Sequence, residues 1–382
     1  MTRLHFAYLV FFVLMAIFFS SPNARAEKRY VFREGSRQAV EVDVNPNQSR
    51  QQISPRVYHR RPVARVVPTA ATSNNTNIKT GAASAKRSYH YTDTVAVDGL
   101  SRKFYVFVPD TYSPASATAV MLDFHGLRMS AESMPAITGF NGIARRDNFV
   151  VVYCQSSGSK WNDGMNNSQG VDDVKYVETV LKKLGQRINV DNRHIFAVGL
   201  SNGGYFVQLL ASRLDNRIAG IAVVASTAMS QALSDPGSAR AVPAVFFLGT
   251  EDPLVNWSDG KNRSLGRYAD KLGLDGIDPD FYKLARYGGW MSADDMIAYW
   301  TKRNRSSGSG QESLMPDTNR EDGMRVRRFE YGSRGNAVTV YKIEGGVHSW
   351  PGALTLPGSK IKSCQDINAG ELIWKFFRLY AW

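Results

Sequence analysis

Residues 194–204, His-Ile-Phe-Ala-Val-Gly-Leu-Ser-Asn-Gly-Gly, constrain this chain more than any others. The first half is mostly apolar and suits a buried strand, and residues 204–213 suit a helix. Between them Gly199-Leu-Ser-Asn-Gly203 fits G-x-S-x-G. In a nucleophile elbow a serine sits on a sharp strand-to-helix turn, where the backbone is too crowded for side chains on either side. That explains a glycine two residues before and two residues after Ser201. The five-residue pattern is common by chance, so the strand before it and the helix after it carry the reading. An ordinary Gly-rich strand–helix turn is the alternative.

The remainder of residues 88–382 agrees with that context. Residues 89–97 and 102–108 alternate with period two and meet through Asp98-Gly99, a strong hairpin signal. Continuous apolar runs follow at 119–124, 149–154, 218–225 and 244–249, with a further strand at 337–343. Helices are expected over 130–146 and 171–187, and another begins at Ser292. The second carries Asp172 and Asp173 in its first turn, where the helix dipole favours acids. Buried runs alternating with helices predict an α/β class: a mostly parallel sheet flanked by helices, fronted by an antiparallel hairpin. This stretch suffices for one large domain with its own core.

The N-terminal residues are different material. Arg3 is followed by an uncharged apolar run from Phe6 to Phe19, and Ala24-Arg-Ala26 places small residues where a signal peptidase reads. As a helix that run reaches about 21 Å, short of the roughly 30 Å hydrocarbon core. Residues 1–26 are therefore expected to be a signal peptide cleaved after Ala26, giving a secreted or periplasmic protein; an uncleaved membrane anchor is the alternative. Residues 27–87 contain no Leu or Trp and carry twelve Lys/Arg against four acids. So little apolar surface predicts a disordered basic linker. It accounts for +8 of the formal +13 and the leader (Arg3, Arg25) for +2, which leaves +3 for residues 88–382. Nothing in it resembles a nucleic-acid-binding module. It is expected to be a solvated tether, or to make electrostatic contact with an anionic envelope.

A serine on an elbow needs a base to take its proton and a carboxylate to hold that base. His5 and His59 lie in the leader and linker, His90 in the hairpin, and His194 at the far end of the elbow strand. His348 follows the strand at 337–343 and is the expected base; His125, after an earlier strand, is the alternative. Asp252 directly follows the run at 244–249 and is the expected acid, ahead of Glu251 and Asp259. The oxyanion of an acyl-transfer intermediate needs two preset amides, which the elbow pattern assigns to Asn202 and Leu127. No His/Asp/Glu cluster has metal-ligand spacing, and no cofactor is implied.

The chain carries His125-Gly126, Trp161-Asn-Asp-Gly164, Val171-Asp-Asp-Val174, Gly199-Leu-Ser-Asn-Gly-Gly204, Gly249-Thr-Glu-Asp-Pro253, Ser292-Ala-Asp-Asp-Met-Ile-Ala-Tyr-Trp300 and Gly346-Val-His-Ser-Trp-Pro-Gly352 in that order. Together these resemble the poly(3-hydroxybutyrate) depolymerase and feruloyl esterase family of secreted α/β-hydrolases. The resemblance implies hydrolysis of small or polymeric carboxylic esters by Ser201, Asp252 and His348, without metal or cofactor. A serine peptidase of the same fold and a non-catalytic envelope-binding protein are the other readings. Three features depart from the family pattern: Leu-Arg-Met-Ser130 after Gly126, a strand ending Tyr153-Cys154 where Tyr-Pro is usual, and a long stretch at 258–289. The last, with Tyr268, Phe281, Tyr282 and Tyr287, is expected to be either a lid over the site or a plain surface excursion. Trp161 and Trp350 are placed against substrate, with a buried aromatic the alternative for Trp161. Asp172 and Asp173 are expected to cap a helix and brace the Trp161 loop. Cys154 and Cys364 are the two cysteines, and export permits, without requiring, a disulfide between them.

Overall fold

In the computed structural model, the described residues are 27–32, 39–44, 88–164, 170–230, 232–233, 240–252, 257, 290–306, 308–354 and 362–381. The expected signal peptide, most of the expected linker and the expected lid at 258–289 lie outside them. Within the linker, strands β1 (Glu27–Phe32) and β2 (Ala39–Val44) pair antiparallel, from Glu27↔Val44 to Phe32↔Ala39. Val40, Val42 and Val44 alternate with Glu41 and Asp43 there, a local strand period that the composition of the whole stretch hides.

The larger unit is built on β3 (Tyr89–Val97), β4 (Leu100–Val108), β5 (Thr118–Phe124), β6 (Val150–Cys154), β7 (Val190–Leu200), β8 (Gly220–Val224), β9 (Ala244–Gly249), β10 (Gln311–Leu314), β11 (Arg325–Tyr331) and β12 (Val338–Glu344). They form one sheet in the order β10-β11-β12-β9-β8-β7-β5-β6-β4-β3. From β12 across to β6 every pairing is parallel, and both edges are antiparallel. At the β3–β4 turn Asp98 and Gly99 both have positive φ, 52° and 80°, as a two-residue type I′ hairpin requires.

β5, β6, β8 and β9 are buried along their whole length, because helices cover both faces. Alternate residues supply two apolar cores. Val120, Leu122, Phe124, Val152, Ile195, Val223 and Phe246 face one; Met121, Val151, Phe196, Val198, Val224 and Phe247 face the other. The helix expected over 130–146 is interrupted. A 3₁₀ turn at Ala131–Ser133 leads into α1 (Met134–Thr138), and Gly139 at φ 70° separates it from α2 (Phe140–Asp147). Pro135 suits the first turn of α1, and the left-handed glycine ends that helix. α3 (Asp173–Leu184) is capped by the Asp172 carboxylate, which accepts from Lys175 N at 2.8 Å. α4 (Asn202–Arg213) follows the elbow, α5 (Ala293–Arg303) is capped by Ser292, and α6 (Ala369–Tyr380) by Asn368.

β10 and β11 lengthen the sheet beyond the expected strands. Their Arg- and Glu-rich sequences are half-exposed at an edge, so no apolar run announces them. Cys154 and Cys364 are both buried and both free, and they belong to the two opposite cores. The disulfide weighed between them is therefore absent from the structure, with the sheet standing between the two thiols.

Candidate active site

Ser201 stands between β7 and α4 with φ 54° and ψ −118°, a backbone conformation that side chains rarely adopt. Its N–H donates to Val224 O at 2.9 Å, and its carbonyl accepts from Gly204 and Tyr205. The turn is so tight that a Cβ on Gly199 would lie 2.2 Å from the Gly203 carbonyl, and one on Gly203 2.1 Å from Phe124 O. That is the geometry of a nucleophile elbow.

The chain brings the other two expected residues to this turn. His348 follows β12 through Gly345 and Gly346, and Asp252 follows β9. Because β9 and β12 are parallel neighbours, their loops emerge side by side and bond together. Thr250 N donates to Ile343 O at 2.9 Å, Gly345 N to Thr250 Oγ1 at 2.9 Å, and Glu251 N to Gly346 O at 2.8 Å. His348 Nδ1 lies 2.8 Å from Asp252 Oδ2, and His348 Nε2 lies 2.9 Å from Ser201 Oγ. A carboxylate can only accept, so the imidazole proton sits on Nδ1 and Nε2 faces the serine as the acceptor. Burial works to lower the His348 pKa, but the Asp252 charge and hydrogen bond outweigh it and hold the imidazole above its ordinary 6.5.

His125, the alternative base, is engaged elsewhere. Its Nδ1 donates to Gly126 O at 2.8 Å, and its Nε2 accepts from Ser156 N at 3.2 Å. Burial pushes its pKa down to about 4, so it stays neutral and shapes the turn. That turn runs beside the nucleophile: a Cβ on Gly126 would come within 3.4 Å of Ser201 Cβ. Leu127 is next, half-buried, between Gly126 and Arg128. The Asn202 amide opens α4, where N–H groups have no acceptor within the helix.

Trp161 and Trp350 are both buried. Trp161 is fully buried, stacked on Phe206 with centroids 5.1 Å apart, and its Nε1 donates to His125 O at 2.9 Å. Trp350 is buried against Phe140 in the other core. Placing both against substrate is corrected by this burial. What the sequence did not single out is the bonding around Trp161. Its N–H donates to Asn202 Oδ1 at 2.7 Å, and Asn202 Nδ2 donates to Asp163 Oδ2 at 2.8 Å. Asp173 braces the same loop by accepting from Asn162 N at 2.6 Å while paired with Arg102 at 2.5 Å. Asp163 lay within a recognised motif, Trp161-Asn-Asp-Gly164, but only the tertiary fold reveals its partner.

Among the described residues no group of His, Cys, Asp or Glu could hold a metal ion, and no helix is long and apolar enough to cross a membrane.

A model of the prolyl oligopeptidase family matches residues 143–240, the segment that contains the elbow. The chain has an α/β-hydrolase fold. Among curated relatives of this chain, a bifunctional acetylxylan esterase/xylanase of Neocallimastix patriciarum is 26% identical over 161 residues, covering 42% of this chain and 22% of that protein. Feruloyl esterase B of Piromyces equi is 24% identical over 255 residues, covering 65% of this chain and 42% of that protein. The chain thus spans less than half the length of either relative. A solved acetyl xylan esterase from Aspergillus awamori is 10% identical and covers 70% of this chain and 96% of that one, at a TM-score of 0.47.

Proposed function

We propose that this α/β-hydrolase is an exported serine esterase that cleaves carboxylic esters through an acyl-enzyme. The observation that carries the reading is His348 bridging Asp252 and Ser201, at 2.8 and 2.9 Å, on three separate loops at one end of the sheet. In this reading Ser201 Oγ attacks the ester carbonyl carbon as His348 Nε2 takes its proton. The tetrahedral oxyanion accepts hydrogen bonds from the Leu127 and Asn202 amides. Collapse breaks the bond to the alcohol, which leaves with the proton from His348. Water, deprotonated by His348, then releases the carboxylic acid and regenerates Ser201. Asp252 holds the imidazole in the required tautomer throughout.

The relatives' names favour feruloyl and acetyl esters as the substrate class. The motif resemblance adds hydroxyalkanoate esters. A panel of acyl esters of increasing chain length, with aryl esters such as feruloyl, separates these classes; no turnover of any ester would defeat the proposal.

The match to the prolyl oligopeptidase family gives one observation in favour of a peptidase. It ends at residue 240 and includes neither Asp252 nor His348, so it rests on the elbow segment that ester and peptide hydrolases share. Cleavage of peptidyl but not ester chromogens would favour that second reading.

Export rests on the leader expected at 1–26, and contact with an anionic envelope on the charge of residues 27–87. Unchanged envelope retention after deletion of 27–87, measured at low ionic strength, would defeat the latter.

A further inference from the structure

We infer that the side chains of Asn202 and Asp163 form a positioning pair that holds the two oxyanion amides in place without touching substrate. The inference rests on the esterase reading above and assigns these side chains a task within it.

The loop of residues 155–164 is bonded on one side to Asn202 and on the other to the turn that carries Leu127. On the first side, Trp161 N donates to Asn202 Oδ1 at 2.7 Å and Asn202 Nδ2 donates to Asp163 Oδ2 at 2.8 Å. On the second, Trp161 Nε1 donates to His125 O at 2.9 Å and Arg128 N donates to Ser159 O at 2.6 Å. These bonds flank Leu127 within two residues in each direction. One loop therefore cross-links the two amides. The loop has its own anchor, since Asn162 N donates to Asp173 Oδ2 at 2.6 Å and Arg102 pairs with that carboxylate.

The Asn202 side chain is oriented without ambiguity. Asp163 can only accept and the Trp161 N–H can only donate, so the amide nitrogen must face the first and the oxygen the second. Asn202 and Asp163 are both buried, at 8% and 5% exposure, where a bond lost on one side leaves a polar group unsatisfied. The need for such a brace follows from the elbow. Ser201 holds a strained φ of 54°, and the next amide begins a helix with nothing inside the helix to receive it. Donors to an oxyanion lower the barrier only when aimed before the charge develops. Asp163 also carries the wrong charge to stabilise an oxyanion itself, which leaves positioning as its contribution.

The test exchanges donor and acceptor. Asn202→Asp keeps the backbone amide but sets a carboxylate against Asp163; Asp163→Asn in the same chain restores a donor–acceptor pair. With an ester that the wild type hydrolyses, Asn202→Asp is expected to lower kcat roughly tenfold or more with KM within about threefold, the signature of lost transition-state stabilisation. Affinity for a boronic acid that adds to Ser201 Oγ is expected to fall in parallel. The double variant is expected to recover most of both. Full kcat in Asn202→Asp, a loss confined to KM, or no recovery in the double variant, whether from lost activity or lost fold, would overturn the pair. Absence of ester hydrolysis by the wild type would defeat the esterase reading and this inference with it; the other outcomes defeat this inference alone.

Discussion

The Asp252 carboxylate lies 2.8 Å from His348 Nδ1 with its side chain wholly buried, while the imidazole keeps 11% of its surface exposed. The acid thus holds the base, and the base is positioned to act on Ser201.

This arrangement sets a pH dependence. His348 must be neutral to accept the serine proton, and its pKa is held above 6.5 by Asp252 against the opposing effect of burial. Activity is expected to rise with pH through an apparent pKa above 6.5. Asp252→Asn removes the charge and leaves burial, so the pKa shifts downward while kcat falls by on the order of 10³–10⁴. A kcat/KM profile for both proteins checks this. The linked stability has the opposite sense. A pKa raised in the folded state contributes stability that is fully present below the unfolded value and is lost as pH rises through the folded one. Asp252→Asn is expected to remove that acid-side contribution, as read by denaturant melts at several pH values.

Substituting Gly203 by Ala is expected to damage the fold as well as the chemistry. The new Cβ would lie 2.1 Å from Phe124 O, a backbone atom on the neighbouring central strand. The cost is expected to be on the order of 3–5 kcal/mol, the range of severe core strain. Thermal melting against Ser201→Ala separates the two effects, because the serine variant is expected to keep its Tm.

Much of this was legible from local pattern, and the remainder needed contacts across the chain. Asp98-Gly99 declares its turn because both residues need positive φ, and the apolar runs of β5, β6 and β9 declare buried parallel strands. Chain order after the elbow pointed to Asp252 and His348, which the parallel pairing of β9 and β12 brings together. By contrast the edge strand β10 and its neighbour β11 are held mainly by pairing rather than burial, so their residues look like loop. The direction in which Trp161 points was not legible either. A tryptophan in a loop near a site faces inward or outward according to its partners, here His125 O and Phe206. The Asn202–Asp163 bond spans 39 residues and leaves no periodic trace.

The Arg102–Asp173 pair tests the loop's anchor. Both side chains are almost fully buried, and the guanidinium lies over the Tyr176 ring at 3.8 Å. Removing one partner strands a buried charge, so Arg102→Ala is expected to cost about 3–5 kcal/mol. A denaturant midpoint unchanged from wild type would contradict that account.

The free cysteines give a chemical check. Burial raises both thiol pKa values, that of Cys364 to about 11, so both are expected to react slowly while the protein is folded. Intact mass after alkylation is expected to show two adducts once the protein is unfolded, without reductant. Two adducts appearing only after reduction would reveal a disulfide.

The most direct measurement of the central claim is hydrolysis of an acyl and aryl ester panel by the wild type and by Ser201→Ala. Turnover of at least one ester class is expected from the wild type, with a loss on the order of 10⁴-fold or more in the variant. An inactive wild type, or a Ser201→Ala variant that hydrolyses the same ester at the wild-type rate, would contradict the claim.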